Sequence, residues 1–339
     1  MDVQLEPPDA RREPIARAGL GALMAIASVD HAPNERALRM IESVRDRLMK
    51  VDVALEDVRP LLPADVAMAV PETEWRERII RGMTLLAMLE GPPTSGELNL
   101  LDAVAEAFGV AAAPVDTFRK LLEEKFMMVR LDIIRRTFIK PAIGAYVKIE
   151  GARGAVDIAK SLLRQEDAEL AAKYRALDDY PEGTFGRAYA DFIGINRFQY
   201  PGEVGGLPPP AMRHDICHTL GGYGTIASEE CAVLAFQAGF QKEDPFFVML
   251  FTIAQFELGV RVSPLLPGAK LGIDPDLIVA GLEHGRSVNT DLIGDVSWDP
   301  WDHFEKPIDE VRASLGVRPR GREPQYLQYD HDGNIVVTM

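Results

Sequence analysis

Hydrophobic residues in the first 140 positions recur every three or four residues, which is the spacing of one face of an α-helix. The pattern is clearest in four segments, at residues 20–29, 37–49, 75–89 and 98–108. Short breaks rich in Pro, Gly or polar residues separate them, at residues 30–34, 60–63 and 91–96. This alternation predicts a bundle of helices joined by short connections.

The hydrophobic pattern stays helical between residues 112 and 177, although the polar positions there carry many charges. Pro141 and three glycines soon after it interrupt the pattern, so we expect a domain boundary near residue 140. From residue 177 onward, Gly, Pro and aromatic residues become frequent, and five of the six histidines lie beyond residue 213. The sequence therefore predicts an all-α protein with two helical domains, and any chemistry is expected in the second one.

The charge balance restricts the binding partners. The 339 residues include 37 Lys and Arg against 52 Asp and Glu, which gives a formal net charge of −15. So acidic a chain is a poor match for the phosphate backbone of nucleic acids, and a poor candidate for a polybasic lipid anchor. We therefore expect no nucleic-acid partner.

Cysteine content and apolar runs indicate the compartment. Two cysteines cannot form a disulfide framework, which favours a reducing compartment. Residues 1–14 are acidic and contain proline, without the apolar run of a signal peptide, and we expect them to be flexible. The most apolar stretch, at residues 245–256, is shorter than the roughly 20 residues that a bilayer-spanning helix needs. The sequence thus predicts a cytoplasmic protein without a spanning segment.

Two histidines four residues apart give the strongest chemical signal, in the sequence MRHDICHTLGGYGTIASEECAVLAF. On a helix, His214 and His218 share one face and can bind one metal ion; the plain alternative is a helix with two partly exposed histidines. Asp215 points about 100° around that helix from His214, so it could be a further ligand or a base beside one. Cys217 and Cys231 are expected to be small buried hydrophobic residues.

Glu230 can join this site only if the chain reverses. In one unbroken helix it would lie about 24 Å along the axis from His214, too far to share a metal. The glycines at 221, 222 and 224 form helices poorly and permit a tight reversal, so a second helix is expected to start near Ala227 or Ser228. Two histidines and two carboxylates on facing helices suit Zn or another divalent transition metal.

The spacing of these residues resembles the hallmark H-D-x-x-H-(x)11-E of the coenzyme Q biosynthesis protein 4 family, with His214, Asp215, His218 and Glu230 at its four positions. Upstream, the sequence PEGTFGRAY at residues 181–189 matches the family's P-E-G-[ST]-[LF]-G-R-x-Y. Downstream, a Gly-Arg pair, a Trp and the pattern P-[LI]-x-E-[VL]-R-x-x-L-G are matched between residues 285 and 316. The resemblance covers about residues 145–317.

That resemblance implies a helical domain at residues 141–317 that carries a divalent metal, usually zinc, on the histidines and acids. It also implies a role in the biosynthesis of ubiquinone or a related prenylquinone. The expected reaction removes the C1 carboxylate of a prenylated hydroxybenzoate-type ring and leaves a hydroxyl, as a lyase or oxidative decarboxylase would. The carboxylate that does not hold the metal, Asp215 or Glu230, is then expected to move protons.

Four further residues are candidates for substrate binding. Arg187 and Arg213 could meet an anionic head group, although a surface ion pair is the plain alternative for each. Phe247 and Phe251 lie in the apolar run at residues 245–256, which could form a wall for a prenyl tail. The alternative for this run is an ordinary core helix.

The first domain, at residues 15–140, resembles a different family, the tellurite-resistance TerB-like helical domain. A repeat relates residues near 23 to residues near 85, and each copy has an apolar helix, an acidic turn and a helix that opens with Glu. The turns read Asp30-His31 and Glu90-Gly91, where that family carries Asp-Gly. The chain would then be a fusion, and the tail at residues 318–339, which matches neither family, is expected to be exposed.

Three functions stay open on the sequence alone. In the first, the chain is a metal-dependent enzyme whose partners are a prenylated quinone precursor, other quinone-biosynthesis enzymes and the inner face of the cell membrane. In the second, it is a non-catalytic lipid-binding scaffold that organises those enzymes and uses the metal structurally. In the third, the first domain acts as a stress-response interaction module. A homodimer is compatible with each of them.

Overall fold

The computed structural model describes residues 9–89, 91–110, 139–242, 245–259, 270, 272–330 and 335–336. Within them the chain forms 14 α-helices, several short 3₁₀ or π turns and one pair of two-residue strands. The fold is therefore all-α, as predicted. The described residues belong to two compact units, an N-terminal unit within Met1–Ile133 and Met249–Ala280, and a C-terminal unit within Ile134–Val248 and Gly281–Met339.

The N-terminal unit begins with five helices. They are α1 (Asp9–Ala27), α2 (Glu35–Ser43), α3 (Pro63–Ala69), α4 (Thr73–Ala87) and α5 (Ser95–Phe108). A π turn at Val44–Met49 continues α2, and a 3₁₀ turn spans Leu55–Asp57. Helix α1 packs against α3 and α4, and both of these contact α5. This is the bundle with short connections that the hydrophobic spacing predicts.

Polar residues in the predicted breaks fix where these helices start. The side chain of Asn34 accepts a backbone hydrogen bond at 2.9 Å and caps α2, while Thr94 and Glu97 form a reciprocal capping box at α5. The Thr94 hydroxyl also donates to the carboxylate of Asp30. The turn at residue 30 therefore contacts the start of α5; Glu90, from the second acidic turn, lies outside the described residues.

The N-terminus departs from the predicted flexible segment at residues 1–14. Helix α1 already begins at Asp9, and residues 1–8 lie outside the described part of the chain. Ile15 and Ala16 are buried, so the first turns of α1 lead directly into packed positions. The helical pattern predicted at residues 112–138 also lies outside the described residues.

The described residues from 139 onward form nine helices. They are α6 (Ile139–Glu150), α7 (Ala152–Leu162), α8 (Ala168–Arg175), α9 (Phe185–Ile195), α10 (Met212–Gly221), α11 (Ala227–Phe240), α12 (Pro245–Phe256), α13 (Pro275–Gly285) and α14 (Ile308–Leu315). Helices α12 and α13 each have residues in both units. In the C-terminal unit, α10 packs against α9 and α11, and α14 packs against α9.

The chain reverses between α10 and α11 at residues 222–226, which we call the reversal loop. Gly222 has a φ of +71°, a left-handed conformation that glycine adopts without steric cost. Gly224 lies against the C-terminal tail, where a Cβ would collide with the carbonyl oxygen of Gln325. Helix α11 then begins at Ala227. The predicted reversal and the predicted start of the second helix are both confirmed.

The sequence predicts that the tail at residues 318–339 is exposed, but part of this tail is bound to the reversal loop. The carbonyl of Gln325 accepts hydrogen bonds from the backbone of Thr225 and Ile226 at 2.9 and 3.2 Å. Strands β1 (Gln328–Tyr329) and β2 (Ile335–Val336) then pair antiparallel. The tail is held because the reversal loop offers it free backbone donors, a feature that the tail's own composition does not reveal.

Candidate metal centre

Three side chains converge between α10 and α11. His214 and His218 lie on successive turns of α10, and Glu230 lies in the first turn of α11. The two histidine Nε2 atoms are 3.2 Å apart, and Glu230 Oε2 is 3.5 Å from Nε2 of His214 and 3.6 Å from Nε2 of His218. These three ligand atoms are close enough together to hold one metal ion.

The three separations match those of ligands around one small cation. Zinc binds histidine nitrogen at about 2.0–2.1 Å and carboxylate oxygen at about 2.0–2.2 Å in tetrahedral geometry, so neighbouring ligand atoms lie about 3.3–3.5 Å apart. Hydrogen bonds would draw the same atoms to about 2.7–3.2 Å. The 3.2 Å side is short enough for a hydrogen bond, whereas the sides of 3.5 and 3.6 Å are longer than hydrogen bonds and are close to the spacing of ligands that share one cation.

Burial and charge also favour a cation here. The side chains of His214, His218 and Glu230 are 11%, 1% and 10% exposed. Burial raises the pKa of Glu230, but the two histidines lower it more, so that its pKa is about 2 and it stays ionised at neutral pH. Its Oε2 atom is buried and has no hydrogen-bond partner among the described residues. A buried carboxylate oxygen without a hydrogen bond is costly, and a bound cation would satisfy it.

The second ring nitrogen of each histidine has its own polar contact. Nδ1 of His218 lies 3.4 Å from the carbonyl oxygen of Tyr223, to which it can donate, and this leaves Nε2 free to accept. Nδ1 of His214 lies 2.5 Å from the side-chain amide of Gln237. Metal-binding histidines usually donate their other nitrogen to an acceptor, as His218 can to Tyr223, and this fixes the orientation of the ring.

The amide of Gln237 can accept a hydrogen bond from Nδ1 of His214 in only one of its two orientations. As placed, its nitrogen faces His214, and its Oε1 is buried without a hydrogen-bond partner among the described residues. Nitrogen and oxygen of an amide are assigned from the hydrogen-bond network. A rotated amide lets Oε1 accept from Nδ1 of His214, and that frees the Nε2 of His214 for a metal.

Asp215 lies beside the group of three and is not part of it. Its carboxylate is absent from the converging ligand atoms found among the described residues. Burial raises its pKa to about 7, while His214 lowers it and Glu230 raises it to smaller extents. Among the described residues, Asp215 is therefore not one of the converging ligands, although the sequence allowed it that role.

The hydroxyl of Tyr189 is a buried polar group that the sequence analysis did not single out. It has no hydrogen-bond partner among the described residues, and burial together with the charge of Asp215 raises its pKa. The residue is part of the PEGTFGRAY segment and lies on α9, which packs against α10. Because Tyr189 is the last residue of the PEGTFGRAY segment, the sequence could have identified it as a candidate site residue.

The two arginines proposed for an anionic head group are already engaged. Arg213 is buried, and its guanidinium donates to main-chain carbonyls of residues 292, 293, 295 and 298 at 2.9–3.4 Å. This arrangement fixes a loop, which leaves little capacity for a substrate. Arg187 is partly exposed and pairs with Asp191 at 2.7 Å, four residues on in the same helix, which is the plain alternative foreseen for it.

The remaining candidates are buried hydrophobic residues. Phe247 and Phe251 lie on α12 and are 5% and 1% exposed, as a core helix requires. Cys217 and Cys231 are buried, as predicted, and neither is part of a disulfide. Burial raises the pKa of the Cys217 thiol, whose sulfur donates to the carbonyl of Arg213 at 3.2 Å.

Gln237 and Phe192 are site residues that sequence reasoning missed. Gln237 lies seven residues after Glu230, about two helical turns, so it shares a face of α11 with that ligand. That spacing could have been read from the sequence. Phe192 stacks on the ring of His218, with centroids 5.1 Å apart, but only the packing of α9 on α10 brings them together.

No protein-family model matches the chain, and the search of curated proteins returned no match. The resemblance to the coenzyme Q biosynthesis protein 4 family is therefore carried by the motif residues alone.

Proposed function

We propose that this chain is a metal-dependent protein of ubiquinone or related prenylquinone biosynthesis. The observation that carries the proposal is the buried convergence of His214, His218 and Glu230, because these are three positions of the motif that the chain shares with the coenzyme Q biosynthesis protein 4 family. The proposed reaction breaks the bond between C1 and its carboxylate on a prenylated hydroxybenzoate-type ring. Carbon dioxide leaves, and an external oxidant supplies the hydroxyl oxygen at C1.

Zinc is the metal that we propose for the site. The donor set of two imidazole nitrogens and one carboxylate oxygen is typical of zinc enzymes, in which a fourth position stays open for water or substrate. When bound, the metal would act as a Lewis acid toward the carboxylate or phenolate of the ring. Structural zinc sites usually have four protein ligands, so a set of three favours the enzyme over the scaffold.

The protein's own residues would then divide the work. His214, His218 and Glu230 hold the metal, and their burial excludes bulk water from the site. Asp215 is the carboxylate left over for holding or moving a proton, since it lies beside the ligands without joining them. This gives Glu230 the role of ligand and leaves Asp215 as the proposed acid or base.

The chain's relation to lipid also belongs to the proposal. Its partners would be the prenylated precursor and other enzymes of the same biosynthesis, met at the inner face of the membrane. Among the described residues, no helix has the length and apolar character to cross a bilayer. With a net charge of −15, most of the surface would be repelled by anionic head groups, so any membrane contact would be local and apolar.

The test combines metal analysis with mass spectrometry of lipids that copurify with the full-length protein. The proposal predicts one metal ion per chain and a prenylated aromatic acid or phenol. Both should be lost in His218→Ala and kept in His303→Ala, which removes a histidine outside the group of three. Wild-type protein that takes up no zinc, even after zinc is added to the purified protein, would contradict the proposal.

Turnover separates the enzyme from the scaffold. The purified protein, supplied with metal, oxidant and a prenylated hydroxybenzoate, should release carbon dioxide from C1, and Asp215→Asn should slow this release by about 100-fold or more. The variant should still bind metal, because Asp215 is outside the ligand group. If the wild type binds metal and lipid but releases no carbon dioxide, the scaffold is the correct alternative.

A further inference from the structure

A buried carboxylate next to the metal group has its partner in the C-terminal tail. Glu229 precedes the ligand Glu230 at the start of α11, and its side chain is fully buried. Arg320 donates two hydrogen bonds to this carboxylate, at 2.5 and 2.9 Å, and the backbone of Gly224 donates a third at 3.1 Å. A two-bond contact of this kind fixes both position and orientation. The pair ties the tail to the first turn of α11.

The same guanidinium also holds the reversal loop. Arg320 donates to the carbonyl of Gly222 at 2.9 Å, and its guanidinium lies over the ring of Tyr223, 4.2 Å from the centroid. The carbonyl of Tyr223 is the acceptor that faces Nδ1 of His218. The pair of Arg320 and Glu229 therefore acts on both sides of the site, on the peptide that orients His218 and on the helix start that presents Glu230.

A second anchor lies a few residues farther along the tail. The backbones of Thr225 and Ile226 donate to the carbonyl of Gln325. The side chain of Thr225 accepts a hydrogen bond from the backbone of Leu327 at 3.2 Å and donates one to Asn196 at 2.6 Å. The hydroxyl of Tyr329 donates to the carbonyl of Asn196 at 3.2 Å. The tail thus crosses the loop and joins it to the end of α9.

The tail also reaches His218 through aromatic rings. The ring centroids of Tyr326 and Phe192 are 6.3 Å apart, and Phe192 stacks on the ring of His218. Each contact runs from the tail toward a ligand or toward the loop between the ligands.

We propose that Arg320 and residues 325–329 form a strap that sets the metal affinity of the site, with Arg320 and Glu229 as its positioning residues. The proposal rests on the proposed function, since it takes the group of His214, His218 and Glu230 to be a metal site. Neither positioning residue offers a converging ligand atom; they fix the loop that joins the two ligand-bearing helices. The tail belongs to neither sequence resemblance, so this dependence would be a property of this chain's own architecture.

The test is a titration of metal-free, full-length protein with Co²⁺ or Zn²⁺, at a temperature well below unfolding. In Arg320→Ala, the affinity should fall by roughly 10- to 100-fold, as is usual when an outer contact of a metal ligand is lost. In Arg320→Lys, the loss should be intermediate, because the charge stays and the two-bond geometry is lost. Arg322→Ala is the matched control: Arg322 Nε is 3.8 Å from Glu229 and its side chain is 44% exposed, so the affinity should stay within about twofold.

Folding is followed in the same samples by circular dichroism and by the unfolding midpoint without metal. If Arg320→Ala does not fold, Arg320→Lys and Thr225→Val decide, since neither leaves a buried carboxylate without a cation; both should weaken metal binding. Wild-type affinity in folded Arg320→Ala, or in both of the other two variants, would overturn the strap. Equal losses in Arg320→Ala and Arg322→Ala would also overturn it. Failure of the proposed function is distinguishable, because it would be seen in the wild type as absent metal binding.

Discussion

At the scale of single residues, the site depends on which ring nitrogen of each histidine carries the proton. A metal needs both Nε2 atoms free, so both Nδ1 atoms have to donate. For His218 the acceptor is a main-chain carbonyl, which cannot change its role. For His214 it is the side chain of Gln237, whose amide could serve either as donor or as acceptor. Gln237 is therefore the residue whose substitution tests the arrangement most directly.

We expect Gln237→Leu to weaken metal binding by about 10- to 100-fold, since Nδ1 of His214 would lose its acceptor. Gln237→Glu should bind metal far better than Gln237→Leu, because a carboxylate can only accept at this position. Calorimetric titration of the two variants and the wild type measures the difference. If Gln237→Leu bound metal as tightly as the wild type, Gln237 would have no part in orienting His214.

At the scale of elements, a buried ion pair in the N-terminal unit joins α2 to the residue after α12. Arg36 meets Glu257 with two hydrogen bonds, at 2.7 and 3.0 Å, and also donates to the carbonyls of Leu89 and Ile273. The Glu257 side chain has no exposed surface. Close by, Arg39 and Asp276 form a pair of the same type in which both side chains are about half exposed. The two pairs are a matched comparison of burial.

Arg36→Ala should lower the free energy of unfolding by about 3–5 kcal/mol, because it leaves the buried carboxylate of Glu257 without a cation. Arg39→Ala should lower it far less than Arg36→Ala does, since water screens the exposed pair. Urea unfolding of the two variants measures both values. Equal losses in the two variants would mean that burial does not decide the strength of these pairs.

The start of α8 gives a prediction about pH. Asp167 caps this helix by accepting from the backbone of Leu170 at 3.2 Å, and it also accepts from Lys160 at 2.6 Å. The hydrogen bond from Lys160 and then that from Leu170 lower the pKa of Asp167 below its ordinary value of 3.8. The stabilisation is therefore fully present above that ordinary pKa and is lost as the pH falls through the lowered one.

Asp167→Ala should accordingly lower the free energy of unfolding by about 1 kcal/mol at pH 7, the usual loss for a helix cap, and by less at pH 3. Urea unfolding at the two pH values provides the measurement. Glu169→Ala is the control on the same helix, because its carboxylate is 79% exposed, and it should change stability by less than about 0.5 kcal/mol at either pH. If Asp167→Ala cost more stability at pH 3 than at pH 7, the predicted direction of the pH dependence would be wrong.

At the scale of the whole molecule, the candidate metal group lies entirely within the C-terminal unit. All three ligand-bearing positions fall between residues 212 and 240, and the tail that crosses the reversal loop belongs to the same unit. A ligand that binds only the folded state stabilises the structure it contacts. Metal should therefore act unevenly along the chain.

Hydrogen exchange with and without Zn²⁺ should show this difference. We expect added metal to slow amide exchange at residues 212–232 and 320–327 by roughly 10-fold or more, and to leave α1 and α4 within about twofold. His218→Ala should abolish the slowing. Uniform slowing along the chain, or slowing confined to the N-terminal unit, would contradict the site.

The sequence predicted part of the site because some signals are local. The spacing of His214 and His218 fixes their shared helix face, and the glycines at 222 and 224 mark where a helix cannot continue. Both inferences need only helix geometry and backbone conformational freedom. The position of Asp215 beside the ligands could not be decided in this way. Asp215 lies about 100° around the helix from His214, and at that angle a side chain can point either toward the metal or away from it. The roles of Arg187 and Arg213 depended on partners distant in sequence.

By itself, the sequence determined the all-α class, the reversal after α10, and a group of histidines and carboxylates on facing helices that still included Asp215. Periodicity and chain-breaking residues act over a few positions, so they can be read without a fold. Only the tertiary structure decided which three ligand atoms converge. It also decided that Arg213 donates to main-chain carbonyls and that the tail binds the reversal loop. The link between Arg320 and Glu229 spans 91 positions. No local pattern records such a contact, because it exists only after the helices have packed.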